Sequence, residues 1–443
     1  MSVPQNAGPQ QAHLRRALRL RDLVFYGIVI IQPTAPMPMF GVVSQEARGH
    51  VVTTVLIAMF AMLLTAISYG RMARVYPSAG SAYAYIAGEF GKGFGALTGW
   101  AVLLDYVLNP LICTIWCSAA AANFVPAIPQ PVWKLFFALL FTMLNLRGIE
   151  TSAQMNKWLA IAMSAVVVYV FGAMARYLYL GGPYGAGFFA RPFYDPSTFS
   201  FAAVSTGTSI AALTYIGFDS ISTLSEEAIN PTRDIMRATV LTCLLTGVLA
   251  ALEVYAGQLV WPDFHRYPDV DTAYVFVAGK AGGPAMFAIL NATLLVATIG
   301  SGVASMLGAA RLLYGMGSEN ALPRMFAYVD PRTRVPSRNV VLCGAVALAG
   351  ALTFSYQLGV ELLNFGAFLA FMGVNAASFT HYWIKRADRS WTQAAAPIVG
   401  FAVCGYIWLS LRTEAKLAGA AWLAIGAVYL LGRRVVETRG RRT

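Results

Sequence analysis

Asp219 stands deep in an apolar run, two residues after a glycine, in Tyr215-Ile216-Gly217-Phe218-Asp219-Ser220. In lipid an uncompensated carboxylate costs at least about 2.5 kcal/mol, and such residues usually mark a pathway or a coupling site. Asp219 is suited to bind an ammonium group or to take up a proton. The other open reading is a structural acid, satisfied by nearby backbone amides or by the hydroxyl of Ser220 or Ser222. Tyr215 and Phe218 flank it and offer either an aromatic, cation–π wall or plain packing. A second chemistry-bearing stretch is Gln32-Pro33-Thr34-Ala35-Pro36-Met37-Pro38. Its prolines at 33, 36 and 38 delete three N–H donors, leaving carbonyls and the side chains of Gln32 and Thr34. Exposed carbonyls suit a cation, whereas a carboxylate would want amides. One proline suffices for a kink, so three point to a built site. Asp105, beside Tyr106, and Glu253 are further embedded acids, for each of which a ligand or coupling role and a structural role stay open. Ser301 and Ser305 either line a sodium site against the first-stretch carbonyls or let helices pack closely.

These residues need elements to hold them, and both stretches interrupt segments that lipid would demand be helical. Backbone that leaves the helical ladder in a bilayer strands polar groups at several kcal/mol each, and survives only when buried in protein or beside a polar cavity. The interrupted segments, Asp22–Gln45 and about 200–227, head two sets of five. Paired breaks at corresponding positions point to the central site of a secondary transporter, and an odd number of spans per set inverts the second. Of 443 residues 58% are hydrophobic and only 12% charged, about half the charged share of soluble domains. About twelve apolar segments recur, near 22–45, 51–70, 94–124, 132–146, 155–178, 200–228, 236–261, 284–317, 338–356, 360–384, 396–411 and 417–432, each read as a span of a core about 30 Å thick. The expected architecture is an all-α integral membrane protein with 22–178 and 200–384 as repeats and 396–432 as two peripheral helices. Tails 1–21 and 435–443 flank it. The long outer connections 176–199 and 261–283 could each hold a short surface helix or part of an outer gate, and a solvated loop is the plainer reading.

The net charge of +12 is topological. With the amino terminus placed in the cytoplasm, 24 of the 32 Lys and Arg fall on cytoplasmic loops and tails, which sets both termini inside. A nucleic-acid partner is excluded on that distribution. The first twenty residues are polar and basic, so no cleavable signal peptide is expected. Cys113 and Cys117 lie one helical turn apart, but no histidine or further cysteine accompanies them, which argues for small buried hydrophobes over a metal pair. No phosphate-cradling loop or nucleophile elbow is visible, so neither a cofactor nor an enzymatic constellation is expected.

Several stretches carry a family likeness: Gln32-Pro33-Thr34, Phe40-Gly41-Val42-Val43-Ser44, Tyr76-Pro77-Ser78-Ala79-Gly80, Leu104-Asp105-Tyr106, Gly217-Phe218-Asp219, Leu224-Ser225-Glu226-Glu227 and Asn364-Phe365-Gly366-Ala367. On these the chain resembles the amino acid–polyamine–organocation superfamily, and within it the bacterial putrescine importers. The resemblance implies a fold like that of sodium-coupled amino acid symporters, alternating access around a midplane site, and a bacterial inner-membrane location. Amino acid carriers of this kind typically have a glycine-rich first break; here it is proline-rich. In a related putrescine–ornithine exchanger an acid matching Asp219 is implicated in amine recognition. Two departures stand out: similar putrescine importers tend to carry an acid where Pro38 stands, and the coupling lysine of some proton-coupled relatives is replaced near Met163. The expectation is an importer of small organic amines, putrescine first, with a proton- or sodium-coupled amino acid permease as the alternative. The substrate-binding set is Gln32, Pro33, Thr34, Ala35, Asp105, Tyr106, Tyr215, Phe218, Asp219 and Ser220. Asp219, Glu253, Ser301 and Ser305 are the candidates for ion coupling. Oligomeric state is not readable from the sequence.

Overall fold

In an apolar medium a chain with so few charged side chains must satisfy its backbone internally, and helix is the local way to do so. The computed structural model describes residues 16–77, 81–147, 153–318, 322–386 and 390–440. Most of the amino-terminal tail, the last three residues, Arg389 and the Ser78-Ala79-Gly80 part of the family-like stretch lie outside the described residues. Among the described residues there is no β-strand, only a bridge between Leu18 and Ala228.

The helices run, in order, α1 (Leu20–Ile31), α2 (Phe40–Glu46), α3 (Val51–Val75), α4 (Ser81–Phe90), α5 (Lys92–Phe124), α6 (Gln130–Leu146), α7 (Ala153–Leu180) and α8 (Phe201–Ala211). After α8 come α9 (Ser220–Thr223), α10 (Pro231–Val260), α11 (Ala273–Ser318), α12 (Ser337–Thr353), α13 (Tyr356–Phe379), α14 (Trp391–Leu409) and α15 (Thr413–Gly440). Among the described residues eight stretches are long and apolar enough to cross a membrane: 51–75, 92–124, 158–180, 201–226, 231–260, 273–318, 356–385 and 413–432. Three more, Gln130–Leu146, Ser337–Thr353 and Gln393–Leu409, are apolar but shorter; at 1.5 Å per residue, 17 residues reach only about 26 Å. The first segment is split into pieces of 12 and 7 residues.

α5 is the centre of the packing and touches α4, α6, α11, α12, α13 and α15. α10 lies mainly along α3, and the approach is close because Gly70 of α3 sits directly on Met236 of α10. Small residues at such crossings let backbones meet where lipid supplies no hydrophobic drive.

The connection 261–283 departs from the solvated loop, the plainer reading, and holds a helix, which is buried rather than on the surface. Ala273 to Gly282 form a helix that continues into α11 across a break at Gly283, φ +78°. Tyr274, Val275, Val277 and Ala278 of this piece are buried, and Tyr274 packs edge-on against Phe40 at a centroid distance of 5.2 Å. The prolines and aspartates at 262–271 mask an apolar turn-and-a-half that has a neighbour to cover it. The other long connection, 176–199, is made mostly of turns and is tied down: Nε2 of buried His50 accepts from the Asp195 amide at 3.0 Å, and the Thr53 hydroxyl donates to Phe193 O at 2.6 Å.

On the amino-terminal side, the amides of Ala17 and Leu18 donate to Glu227 O, at 2.9 and 3.1 Å, which pins the entry to α1 against the end of the second broken segment. Glu89 of α4 pairs with His381 at 2.7 Å and Lys385 at 2.8 Å and accepts from the Tyr76 hydroxyl at 3.0 Å. Burial alone would push its carboxyl up, but the bonds from Lys385, His381 and Tyr76 together hold it below the usual carboxylate range.

Candidate functional site

Both interruptions are real departures from helix, and the local sequence explains each. A proline removes the donor that would serve the carbonyl four residues earlier. Pro33, Pro36 and Pro38 therefore deprive Val29, Gln32 and Thr34. The chain leaves α1 at Gln32, whose φ of +70° and ψ of 136° lie outside the regions open to most side chains, a strain of roughly 1–3 kcal/mol. Tight turns follow: Ala35 N donates to Gln32 O at 3.2 Å and Met37 N to Thr34 O at 3.1 Å. Two of the three deprived carbonyls thus already have a donor from the break itself, fewer free oxygens than proline counting implies.

The second segment unwinds differently. α8 tightens into a 3₁₀ turn over Ala212–Tyr215, and helix resumes at Ser220. Gly217 has φ +116°, a conformation L side chains rarely adopt, and a Cβ there would lie 2.7 Å from Ile30 Cγ2. Glycine both allows the turn and lets it approach α1.

Between the breaks lies a cavity of about 440 Å³, lined by Tyr26, Val29, Ile30, Gln32, Asp105, Tyr106, Asn109, Leu159, Ala160, Met163, Ile216, Gly217, Asp219, Ser220, Gly300, Ser301, Ala304 and Ser305. Its volume is that of a small-molecule site, which typically spans roughly 300–1,000 Å³. A smaller lobe of about 130 Å³ continues past Gln32, and Thr34, Ala35, Pro38, Cys113 and Trp116 are among its lining. Two carboxylates face the main cavity, and among the described residues no Lys, Arg or His side chain does. The Asp219 carboxylate has the backbone amides of Asp219 itself, Gly217 and Ser220 beside it. The Asp105 carboxylate has neither a hydrogen bond nor an ion pair among the described residues and faces the same cavity as Asp219.

The structure brings Gln32, Asp105, Tyr106, Asp219, Ser220, Ser301 and Ser305 around the main cavity and Thr34 and Ala35 around its smaller lobe. Four expected residues lie elsewhere. Pro33 is buried within the break and lines neither space. The Tyr215 hydroxyl donates to Val55 O of α3 at 2.9 Å, so that side chain anchors the break to a neighbouring helix. Phe218 turns into an aromatic cluster, 5.4 Å from both Tyr69 and Phe371 by ring centroids. In this 3₁₀-and-turn backbone Tyr215 and Phe218 leave the side that Asp219 faces, while Ser220 shares it. Glu253 is also off the cavity: it is fully buried and neither carboxylate oxygen has a partner, while its main-chain oxygen accepts from the Tyr274 hydroxyl at 2.9 Å. The Ser305 hydroxyl is engaged by its own helix, donating to Ser301 O at 2.7 Å.

Tyr26 and Asn109 line the cavity without having been singled out. A signal existed for Asn109: it follows Asp105 by four residues, the spacing that shares a helix face. Tyr26 had none, because a tyrosine near the start of an apolar helix looks like an interfacial anchor. Cys113 and Cys117 are buried free thiols, and no group of three metal-ligating side chains occurs among the described residues.

An all-helical membrane permease with a polar cavity between two broken segments is the class that this geometry defines. A family model for amino acid permeases matches residues 37–431, and the chain belongs to that family, within the amino acid–polyamine–organocation superfamily. It is a transporter. Among its relatives is the low-affinity putrescine importer PlaP of Escherichia coli, 33% identical over 440 residues that cover 97% of this chain and 96% of the relative. The branched-chain amino acid permease BcaP of Lactococcus lactis is 26% identical over 94% of both chains. The methylthioribose transporter of Bacillus subtilis is 25% identical over 97% of this chain and 96% of its own.

Proposed function

We propose that this protein imports small organic cations across a bacterial inner membrane, with a diamine such as putrescine as the leading substrate, by alternating access around the Asp105–Asp219 cavity. The observation that carries the reading is the charge of that cavity: two carboxylates and, among the described residues, no basic side chain. A dication compensates both acids. An α-amino acid brings one compensating ammonium and a carboxylate that must sit near two groups of its own sign, which a site of low dielectric penalises. Asp219 takes one ammonium and Asp105, which has no partner of its own, takes the other. Asp105 thereby supplies the second anionic contact that Pro38 does not. Gln32, Ser220, Ser301 and the hydroxyls of Tyr26 and Tyr106 complete the polar lining. The putrescine importer among the relatives supports the same substrate class.

In this reading 22–434 is one transporter unit of twelve spans, two inverted sets of five and a peripheral pair, with tails 1–21 and 435–443 in the cytoplasm. The positive-inside distribution and the paired breaks support it. No cofactor is invoked. Each charge moving inward gains about 2.3 kcal/mol per 100 mV, so a dication accumulates roughly a thousandfold on the potential alone, and neither a proton nor sodium is required.

The test is uptake of labelled putrescine into proteoliposomes under a potassium-diffusion potential, negative inside, at symmetrical pH and without sodium, with ornithine as competitor. Voltage-driven uptake that ornithine inhibits only weakly is expected. Tighter binding of ornithine would move the assignment to an amino acid permease, and uptake that ignores voltage and follows only an inward pH gradient would assign coupling to a proton.

A further inference from the structure

Three spaces succeed one another through the molecule, and the residues that separate them are few. The main cavity and its smaller lobe share Ile30, Gln32, Asn109, Ile216 and Ser301, so they are two parts of one site with a waist of three polar and two apolar side chains. Beyond the smaller lobe lies a third space of about 250 Å³, bounded by Glu46 at the end of α2, Lys134 near the start of α6, Asp271 before α11 and the turn that opens α13. The smaller lobe and this third space have one lining residue in common, Tyr356.

Tyr356 is only 4% exposed although it faces a space on either side. It is the first residue of α13, directly after Ser355, whose side chain caps the helix by accepting from the Leu358 amide at 3.2 Å. A side chain in a helix's first turn has no preceding turn to crowd it, so its ring can change rotamer without unwinding the helix. Trp116 stands beside it on the lobe, and its indole N–H donates to Asp271 O at 2.8 Å. That bond fixes the indole to the wall of the third space and leaves the phenol ring as the movable part of the partition.

We propose that Tyr356 is the outer gate of the transport path, one ring separating an outer vestibule from the substrate cavity. The assignment of "outer" rests on the topology proposed above. The gate itself rests on the shared lining and on the position of Tyr356 at a helix start. Because Tyr356 is the lining residue common to both spaces, shortening its side chain should open the site to the vestibule without any movement of the helices.

Cys113 lines the smaller lobe and is a reporter already in place. In a background with Cys117, Cys243, Cys343 and Cys404 replaced by alanine, the labelling rate of Cys113 by a membrane-impermeant methanethiosulfonate is measured from each face, in intact cells and in inverted vesicles. Tyr356→Ala should raise the rate from the outer face by about tenfold or more, equivalent to lowering a barrier by about 1.4 kcal/mol. Tyr356→Phe should leave it within twofold, because the ring and not the hydroxyl forms the partition. Tyr356→Leu keeps apolar volume at a packed position and should give an intermediate rate, which preserves the test should the alanine variant fail to insert. An unchanged rate from both faces in the alanine and leucine variants would overturn the gate. A rise seen only in inverted vesicles would keep the gate and overturn the topology.

Discussion

The first break is made by removing donors and the second by freeing the backbone, and the two contribute different things to one cavity. Pro33, Pro36 and Pro38 cannot donate, so the first break is a neutral frame whose Gln32 forms part of the waist. Gly217 permits φ +116°, and the turn it allows places the charge of Asp219 on the cavity. A frame poor in amides has little to offer a carboxylate, while a carboxylate placed opposite it has much to offer a cation. The same division separates acids by context. Asp105 and Asp219 face a shared polar space, whereas Glu253 is fully buried off that space and its carboxylate oxygens have no hydrogen-bond partner among the described residues. An acid inside a membrane protein marks the path only when a cavity reaches it.

The comparison is broken most severely at its charged half. Asp219→Asn should lower putrescine uptake by about a hundredfold or more, since removing one partner of a buried ion pair costs roughly 3–5 kcal/mol. The variant should keep the wild-type melting temperature, because asparagine fills the same volume. Uptake within a fewfold of wild type would reduce Asp219 to a structural acid satisfied by the amides around it.

A smaller and more selective effect belongs to Asp105. If it holds the second ammonium, Asp105→Asn should weaken putrescine by about ten- to a hundredfold, the value of a hydrogen bond to a charged group. A monoamine of the same carbon length, which has only one ammonium to place, should lose less than threefold. Competition binding on purified protein reads both numbers, and an equal loss for the two amines would end the two-acid clamp.

Much of this was legible in the chain because the signals were local. Three prolines within six residues, or a glycine and an aspartate inside an apolar run, are exceptions to a strong rule, and both breaks lie where those exceptions stand. Residues facing the cavity from unbroken helices were harder to read. Asp105 and Ser301 were reachable from their chemistry, but Tyr26 and Tyr356 are apolar-looking residues whose role depends on which helix lies opposite. Tyr215 and Phe218 misled for a related reason. Next to Asp219 they seemed part of its surroundings, but unwound backbone does not keep neighbours on one face, and tertiary partners on α3 and α13 claimed them. The buried piece 273–282 was hidden by the prolines and aspartates before it, because whether an apolar turn is solvated or covered is decided by a partner, here Phe40, distant in sequence.

The smallest expected effect tests the backbone half of the comparison. Gly217→Ala adds one methyl group and no charge, so any loss must come from conformation or contact. Two costs are separable. Alanine at φ +116° is strained wherever it sits, by about 1–3 kcal/mol, and its Cβ would also press on Ile30 Cγ2, 2.7 Å away. Ile30→Ala removes the contact and leaves the strain, so a double-mutant cycle divides them. If the second break exists because glycine permits its turn, Gly217→Ala should lower the melting temperature and reduce uptake by about tenfold, and Ile30→Ala should recover less than half of either loss. Full recovery would mean that Gly217 serves only the close approach to α1. The turn that presents Asp219 would then owe nothing to the freedom of glycine, and the contrast between the two breaks would shrink to a difference in packing.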